Sequence, residues 1–216
     1  CHGVPNLEFF ISYKKWFENR KKCKILNVNF RDKDRLGWGS VGSITYQKNN
    51  KIKKQTILCN EDPYYYLFEY GYILRESCYS CKYACSERKG DLTLGDFWGV
   101  HKYFPELDIS MGISAILVNT YKGKKVIEQL SDYIRVIPTR YEYIEDNNDR
   151  LKHPIKKPKE RKIWLKYWKT DGFDLVAKEF YKQKIKVILS SKIKRRIPNG
   201  LKKLIRKIVT IYRSAL

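Results

Sequence analysis

The chain has 216 residues, 43% hydrophobic and 14% aromatic, with a formal net charge of +22. That is enough apolar material for one sizeable core with or without a tail, which excludes a disordered chain, and no run approaches the ~18 apolar residues of a membrane span. The charge is uneven: residues 151–216 carry 21 Lys and Arg against 4 Asp and Glu, so +17 of the +22 belongs to the last third.

The chain opens on Cys1-His2-Gly3-Val4-Pro5, with no secretory signal and no initiating Met, and reads as a fragment. Asn6 caps a helix whose apolar positions Leu7, Phe10, Ile11 and Phe17 mark one face up to about Lys21. Leu26, Val28 and Phe30 alternate with polar residues and predict a half-buried strand. Arg31-Asp32-Lys33 with Gly37-Trp38-Gly39 is a turn, whose charges also suit a place near phosphates. Strands Val41–Tyr46 and Ile52–Leu58 flank Asn49-Asn50 as a hairpin. Asp62-Pro63 is an N-cap and first-turn pair for an aromatic helix over Tyr64–Ile73. Beyond it come a short strand Leu92–Gly95, a buried strand Met111–Asn119 and a helix Lys122–Ser131 capped by Thr120. In that helix Val126, Ile127 and Leu130 face inward, and a strand Ile134–Ile137 follows. Helical stretches Glu160–Lys169, Phe173–Lys184 and Asn199–Arg213 lie in the basic third. The pattern is α+β: a mixed sheet with flanking helices over 1–150 and a basic helical extension over 151–216.

Six cysteines stand at 1, 23, 59, 78, 81 and 85. A long lysine-rich chain without a signal favours a reduced, cytosolic setting over a disulfide framework. Cys23 and Cys59 stand alone and read as ordinary half-buried thiols. Cys78-x-x-Cys81 presents two sulfurs from one tight loop, with Cys85 close behind and Cys1 as a distant candidate. Spacing alone leaves three readings open: buried thiols in a turn, a zinc site or an iron–sulfur cluster. Lys82, Arg75 and Arg88 would offset the negative charge of a cluster, or are solvated surface charges.

Four stretches occur in order. They are Cys1-His2-Gly3-Val4-Pro5; Asn29-Phe30-Arg31-Asp32-Lys33 with Gly37-Trp38; Arg75-x-Ser77-Cys78-Tyr79-x-Cys81-Lys82; and Asp91-Leu92-Thr93-Leu94-Gly95-Asp96-Phe97-Trp98-Gly99. The series resembles the coenzyme F420 hydrogenase/dehydrogenase beta-subunit family, C-terminal domain, and within it the bacterial members associated with polysaccharide biosynthesis. The likeness spans roughly residues 1–120.

The resemblance implies an oxidoreductase that passes electrons between a [4Fe–4S] cluster and FAD, with coenzyme F420 as a candidate hydride partner. It implies cluster ligands at Cys1, Cys78 and Cys81. The fourth family cysteine falls before residue 1, and Cys85 is a departure that would stand in for it or be incidental. Gly95, Asp96, Phe97 and Trp98 are the candidate flavin contacts: glycines permit close backbone approach, and the rings would wall a cofactor. The bland reading of the same residues is a strand end with aromatic core residues. An electron-donor protein or subunit is the implied partner.

The tail helix over 199–213 has a basic and an apolar face, which suits an anionic membrane surface or a helix docked on its own domain. The chain is thus expected in the cytoplasm, with a peripheral place at the inner membrane face as an extension of that reading. Nucleic acid is the weakest reading of the charge, because no recognition motif accompanies it. The competing account of the whole is a non-enzymatic basic membrane-surface or scaffold protein, with a structural zinc or no metal. No Gly-x-Gly-x-x-Gly or phosphate loop is present, so a flavin site would be of a non-Rossmann kind.

Overall fold

The computed structural model describes residues 1–196. Helix α1 spans Leu7–Lys21; the Asn6 side chain accepts from the Phe9 amide at 3.0 Å, and the chain leaves in a left-handed turn at Lys22. The inward face differs from the one read above. Phe9, Tyr13, Trp16 and Phe17 are buried, while Leu7 and Ile11 are exposed. The aromatic residues follow helical spacing as well as the aliphatic ones do, and the larger rings bury more area.

Strands β1 (Lys24–Asn29), β2 (Val41–Lys48) and β3 (Lys51–Leu58) form an antiparallel meander in that order. The β2–β3 turn places Asn49 and Asn50 at φ 51° and 57°, the left-handed pair a two-residue hairpin demands. The register of β1 on β2 slips between Ile25 and Asn27. That bulge turns Ile25 into the core and Leu26 out to water, which breaks the simple alternation expected there.

Helix α2 (Pro63–Glu69) starts as expected, with Asp62 accepting from the Tyr65 amide at 2.9 Å, and ends earlier than read. Its tyrosines pack on α1 and on α6 (Arg161–Arg196). The two helical stretches expected over 160–184 are the arms of α6, which is broken at Asp171 and Gly172, where the backbone leaves helical geometry. Trp164, Phe173, Val176, Ala177 and Phe180 of α6 are buried in the same core as Phe9, Tyr13 and Ile44. Both arms of α6 are therefore part of this core, and the stretch 199–213 lies outside the described residues.

A second, smaller core holds Phe97, Val100, Ala115, Ile144 and Leu151. It sits on a two-stranded antiparallel ribbon, β4 (Leu92–Asp96) with β5 (Ser114–Val118). Short helices α3 (Glu76–Tyr79) and α5 (Tyr141–Glu145) lie before and after this unit, and α4 (Tyr121–Gln129) follows β5, capped by Thr120 as expected. In α4, Val126 and Ile127 are half-buried and Leu130 is exposed. The strand expected over 134–137 is not formed: the segment is irregular, and Val136 and Ile137 lie exposed. The architecture is α+β with small antiparallel sheets and flanking helices.

Candidate functional site

The first residues are fixed against the segment that leads into the cysteine loop. The Asn6 amide donates to Ile73 O at 2.8 Å, the Arg75 amide donates to Val4 O at 2.8 Å, and Pro5 bridges Leu74. Gly3 takes φ 122°, and a Cβ there would stand 2.6 Å from the Leu74 side chain, so the close approach requires glycine. This pairing carries Cys1 to the loop holding Cys78 and Cys81.

Cys78 sits on α3. The Val4 amide donates to its Sγ at 3.3 Å, and the thiol in turn lies 3.8 Å from Val4 O, to which it donates. Helix α3 is held from outside by Arg161, whose guanidinium bonds Tyr72 O at 2.7 Å and Glu76 at 3.1 Å, and by Lys157 on Glu76 at 2.6 Å. Those bonds hold the Glu76 carboxyl below its usual range, Lys157 contributing most and Arg161 next.

Cys1, Cys78 and Cys81 line one cavity of about 110 Å³, together with Arg88 and Arg150. Cys85 does not line it: its thiol donates to Glu87 O at 3.2 Å and Lys82 O at 3.5 Å. Among the described residues no three His, Cys, Asp or Glu side chains are placed to hold a single metal ion. Burial pushes the Cys59 thiol up to about 12, and burial followed by Glu18 raises the Cys23 thiol. Both are kept as unreactive thiols, as their isolated positions suggest.

A second cavity, of about 80 Å³, lies against β4 and is lined by Thr93, Gly95 and Asp96. Three residues belong to both cavities: Cys1, Arg88 and Arg150. The thiols and the β4 segment are thus neighbours with a common wall. Of the candidate flavin contacts, Gly95 and Asp96 reach this cavity, Phe97 is buried in the small core, and Trp98 stacks on Trp38 at 4.5 Å with planes 9° apart.

The Arg31 turn packs on the same segment. Arg31 lies 3.8 Å from Asp96, 5.2 Å over the Trp98 ring, and donates to Gly39 O at 3.2 Å. Asp32 is buried against Lys54 at 2.7 Å, which with Ser43 holds its carboxyl below the usual range. Lys33 donates to Met111 O at 2.6 Å. Arg31, Asp32 and Lys33 therefore each have a partner within the protein. Two features escaped sequence reading. Arg150 lies in a stretch with no motif, and the Arg31–Asp96 contact joins residues far apart in the chain.

A larger cavity of about 290 Å³ lies elsewhere, lined by Trp16, Arg20, Lys21, Asp62 and Tyr181. It holds no thiol, and the Asp62 carboxylate there is already bonded to the Tyr13 hydroxyl at 2.8 Å and the Tyr65 amide at 2.9 Å.

Fold and site outline an α+β domain that gathers thiols from distant segments, an arrangement suited to metal or redox chemistry. A family model for the C terminus of the coenzyme F420 hydrogenase/dehydrogenase beta subunit matches residues 1–140, and the chain belongs to that family. It is thereby related to oxidoreductase subunits. No curated protein and no solved structure matches the chain.

Proposed function

We propose that the chain is an electron-transfer module of an iron–sulfur oxidoreductase, with a [4Fe–4S] cluster held by Cys1, Cys78 and Cys81. The observation that carries this reading is the single cavity lined by those three cysteines, one of them from the opposite end of the first eighty residues. The donor set fits the group. Thiolates are the soft ligands iron–sulfur clusters take, the Val4 amide is set to bond one of them, and cationic side chains stand beside them. A cluster is wider than one ion, so its ligands need not crowd around a single point as zinc ligands do. When bound, it supplies one-electron transfer. The protein's part is to fix the three thiols by pairing residues 4–6 with 73–75, and to place β4 against the same wall.

FAD, which the resemblance implies, is not enclosed by the cavity beside β4. The cavity beside β4 holds about 80 Å³, against about 300 Å³ for the smaller ordinary cofactor pockets. On this reading a flavin is shared with a further segment or subunit, and that subunit is the electron partner. Use of coenzyme F420, service to polysaccharide biosynthesis and a peripheral membrane place rest on the family likeness and on the tail's charge. No helix among the described residues is long and apolar enough to cross a membrane.

The test is anaerobic reconstitution of the chain with iron and sulfide. The reading predicts a broad absorption near ~400 nm that dithionite bleaches, as expected of thiolate-bound cluster iron. A colourless protein that takes up zinc instead would refute it.

A further inference from the structure

We propose that Arg88 and Arg150 form a cationic wall that sets the reduction potential of the cluster, an inference that rests on the cluster reading above. Arg88 closes the cysteine loop, and its guanidinium donates to Tyr83 O at 2.8 Å and Arg150 O at 3.0 Å. Its Nε is buried without a partner among the described protein groups. Arg150 comes from the short 3-10 turn Asp149–Leu151 after α5, beyond the family match, and one of its terminal nitrogens is also buried and unpartnered. Its other contact is a loose one to Asp149, 3.5 Å away, and that carboxylate is largely in water.

Two guanidiniums brought to one wall repel each other, and buried donors without acceptors are costly. Such an arrangement calls for negative charge between them. Asp96, which lines the cavity beside β4, is already engaged by Arg31. The remaining source is the thiolate set: Cys1, Cys78 and Cys81 line the cavity that both arginines line. A cluster ligated by thiolates becomes more negative on reduction. Fixed positive charge against it favours the reduced state, so the potential is higher with the arginines than without them. Lys82 and Arg75, the other cations that flank the motif, do not line this cavity. The compensation read from sequence neighbours thus passes partly to a residue seventy positions away.

The test compares the full chain as wild type, Arg150→Gln and Arg150→Lys after reconstitution, with the midpoint potential read by anaerobic titration. Arg150 is chosen because its side chain makes fewer structural bonds than that of Arg88. Arg150→Gln lowers the reduction equilibrium constant about tenfold, which for one electron is about 59 mV in the negative direction. Arg150→Lys keeps the charge and stays within about threefold of wild type. Equal potentials in wild type and Arg150→Gln, both carrying cluster, overturn the inference and leave the cluster reading intact. So does an equal drop in both variants, or loss of cluster from both, since shape rather than charge would then be at work. If only Arg150→Gln fails to hold cluster while Arg150→Lys keeps the wild-type potential, the requirement for charge is upheld. A wild type that takes no cluster removes the reading on which the inference rests.

Discussion

Asp62 makes the fold sensitive to pH in a direction opposite to most carboxylates. It is buried, caps α2 through the Tyr65 amide and accepts from the Tyr13 hydroxyl. Loss of hydration outweighs those bonds and raises its carboxyl from 3.8 to about 6. The folded state therefore holds this proton more tightly than the unfolded chain does. The stabilisation is fully present below pH 3.8 and is lost as pH rises through about 6; in full it is worth about 3 kcal/mol. Roughly half of it, about 1.4 kcal/mol, disappears between about pH 5 and about pH 8.

Asp32, Glu76, Asp91, Asp108 and Asp146 are shifted the other way, downward. Their contributions are present above the usual carboxylate range and are lost only on further acidification, so they stay nearly constant in that window. Asp62→Asn keeps an oxygen for the Tyr65 amide and cannot ionise. In urea unfolding, the wild-type midpoint should fall relative to Asp62→Asn by about 0.7 M between about pH 5 and about pH 8, at a slope near 2 kcal/mol per M. Parallel pH profiles for the two proteins, or a wild type that gains on the variant as pH rises, would refute the reasoning.

Other substitutions probe how the site is positioned. Gly123 of α4 lies directly over the Asp91 carbonyl, which a Cβ would strike; Gly123→Ala should cost about 3 kcal/mol in denaturant unfolding. Asn50→Val places a β-branched residue at φ 57° in the β2–β3 turn and should cost about 1–2 kcal/mol by the same assay. Arg161→Met strips Tyr72 O and Glu76 of a partner and should cost about 2 kcal/mol. Glu76→Gln should cost less, because the Glu76 carboxylate stands largely in water.

Local chemistry was the legible part of this chain. Asn6, Asp62-Pro63 and Thr120 announce their helices because a cap is a contact within three residues. Asn49-Asn50 announces the hairpin because few residues tolerate left-handed geometry. The wrong face of α1 and the unformed strand at 134–137 share one cause: burial depends on what packs against a segment, and no local pattern states that. At the site, the loop cysteines are marked by their spacing and Cys1 by its motif. Neither spacing nor motif reveals that Arg31 reaches Asp96 or that Arg150 joins Arg88, since both contacts span more than sixty residues. The four ordered stretches of the family likeness do meet in space. Residues 1–6 lie along 73–78, and the Arg31–Trp38 turn packs on 96–98 and on the 110–112 loop.

The measurement closest to the heart of this account is the iron and acid-labile sulfide bound by reconstituted Cys1→Ser, set beside Cys78→Ser, Cys81→Ser and Cys23→Ser. Cys1→Ser, Cys78→Ser and Cys81→Ser should lose most of both elements while Cys23→Ser keeps the wild-type amount. Full retention by Cys1→Ser, with loss from Cys78→Ser and Cys81→Ser, would contradict a centre shared by the two ends of this segment.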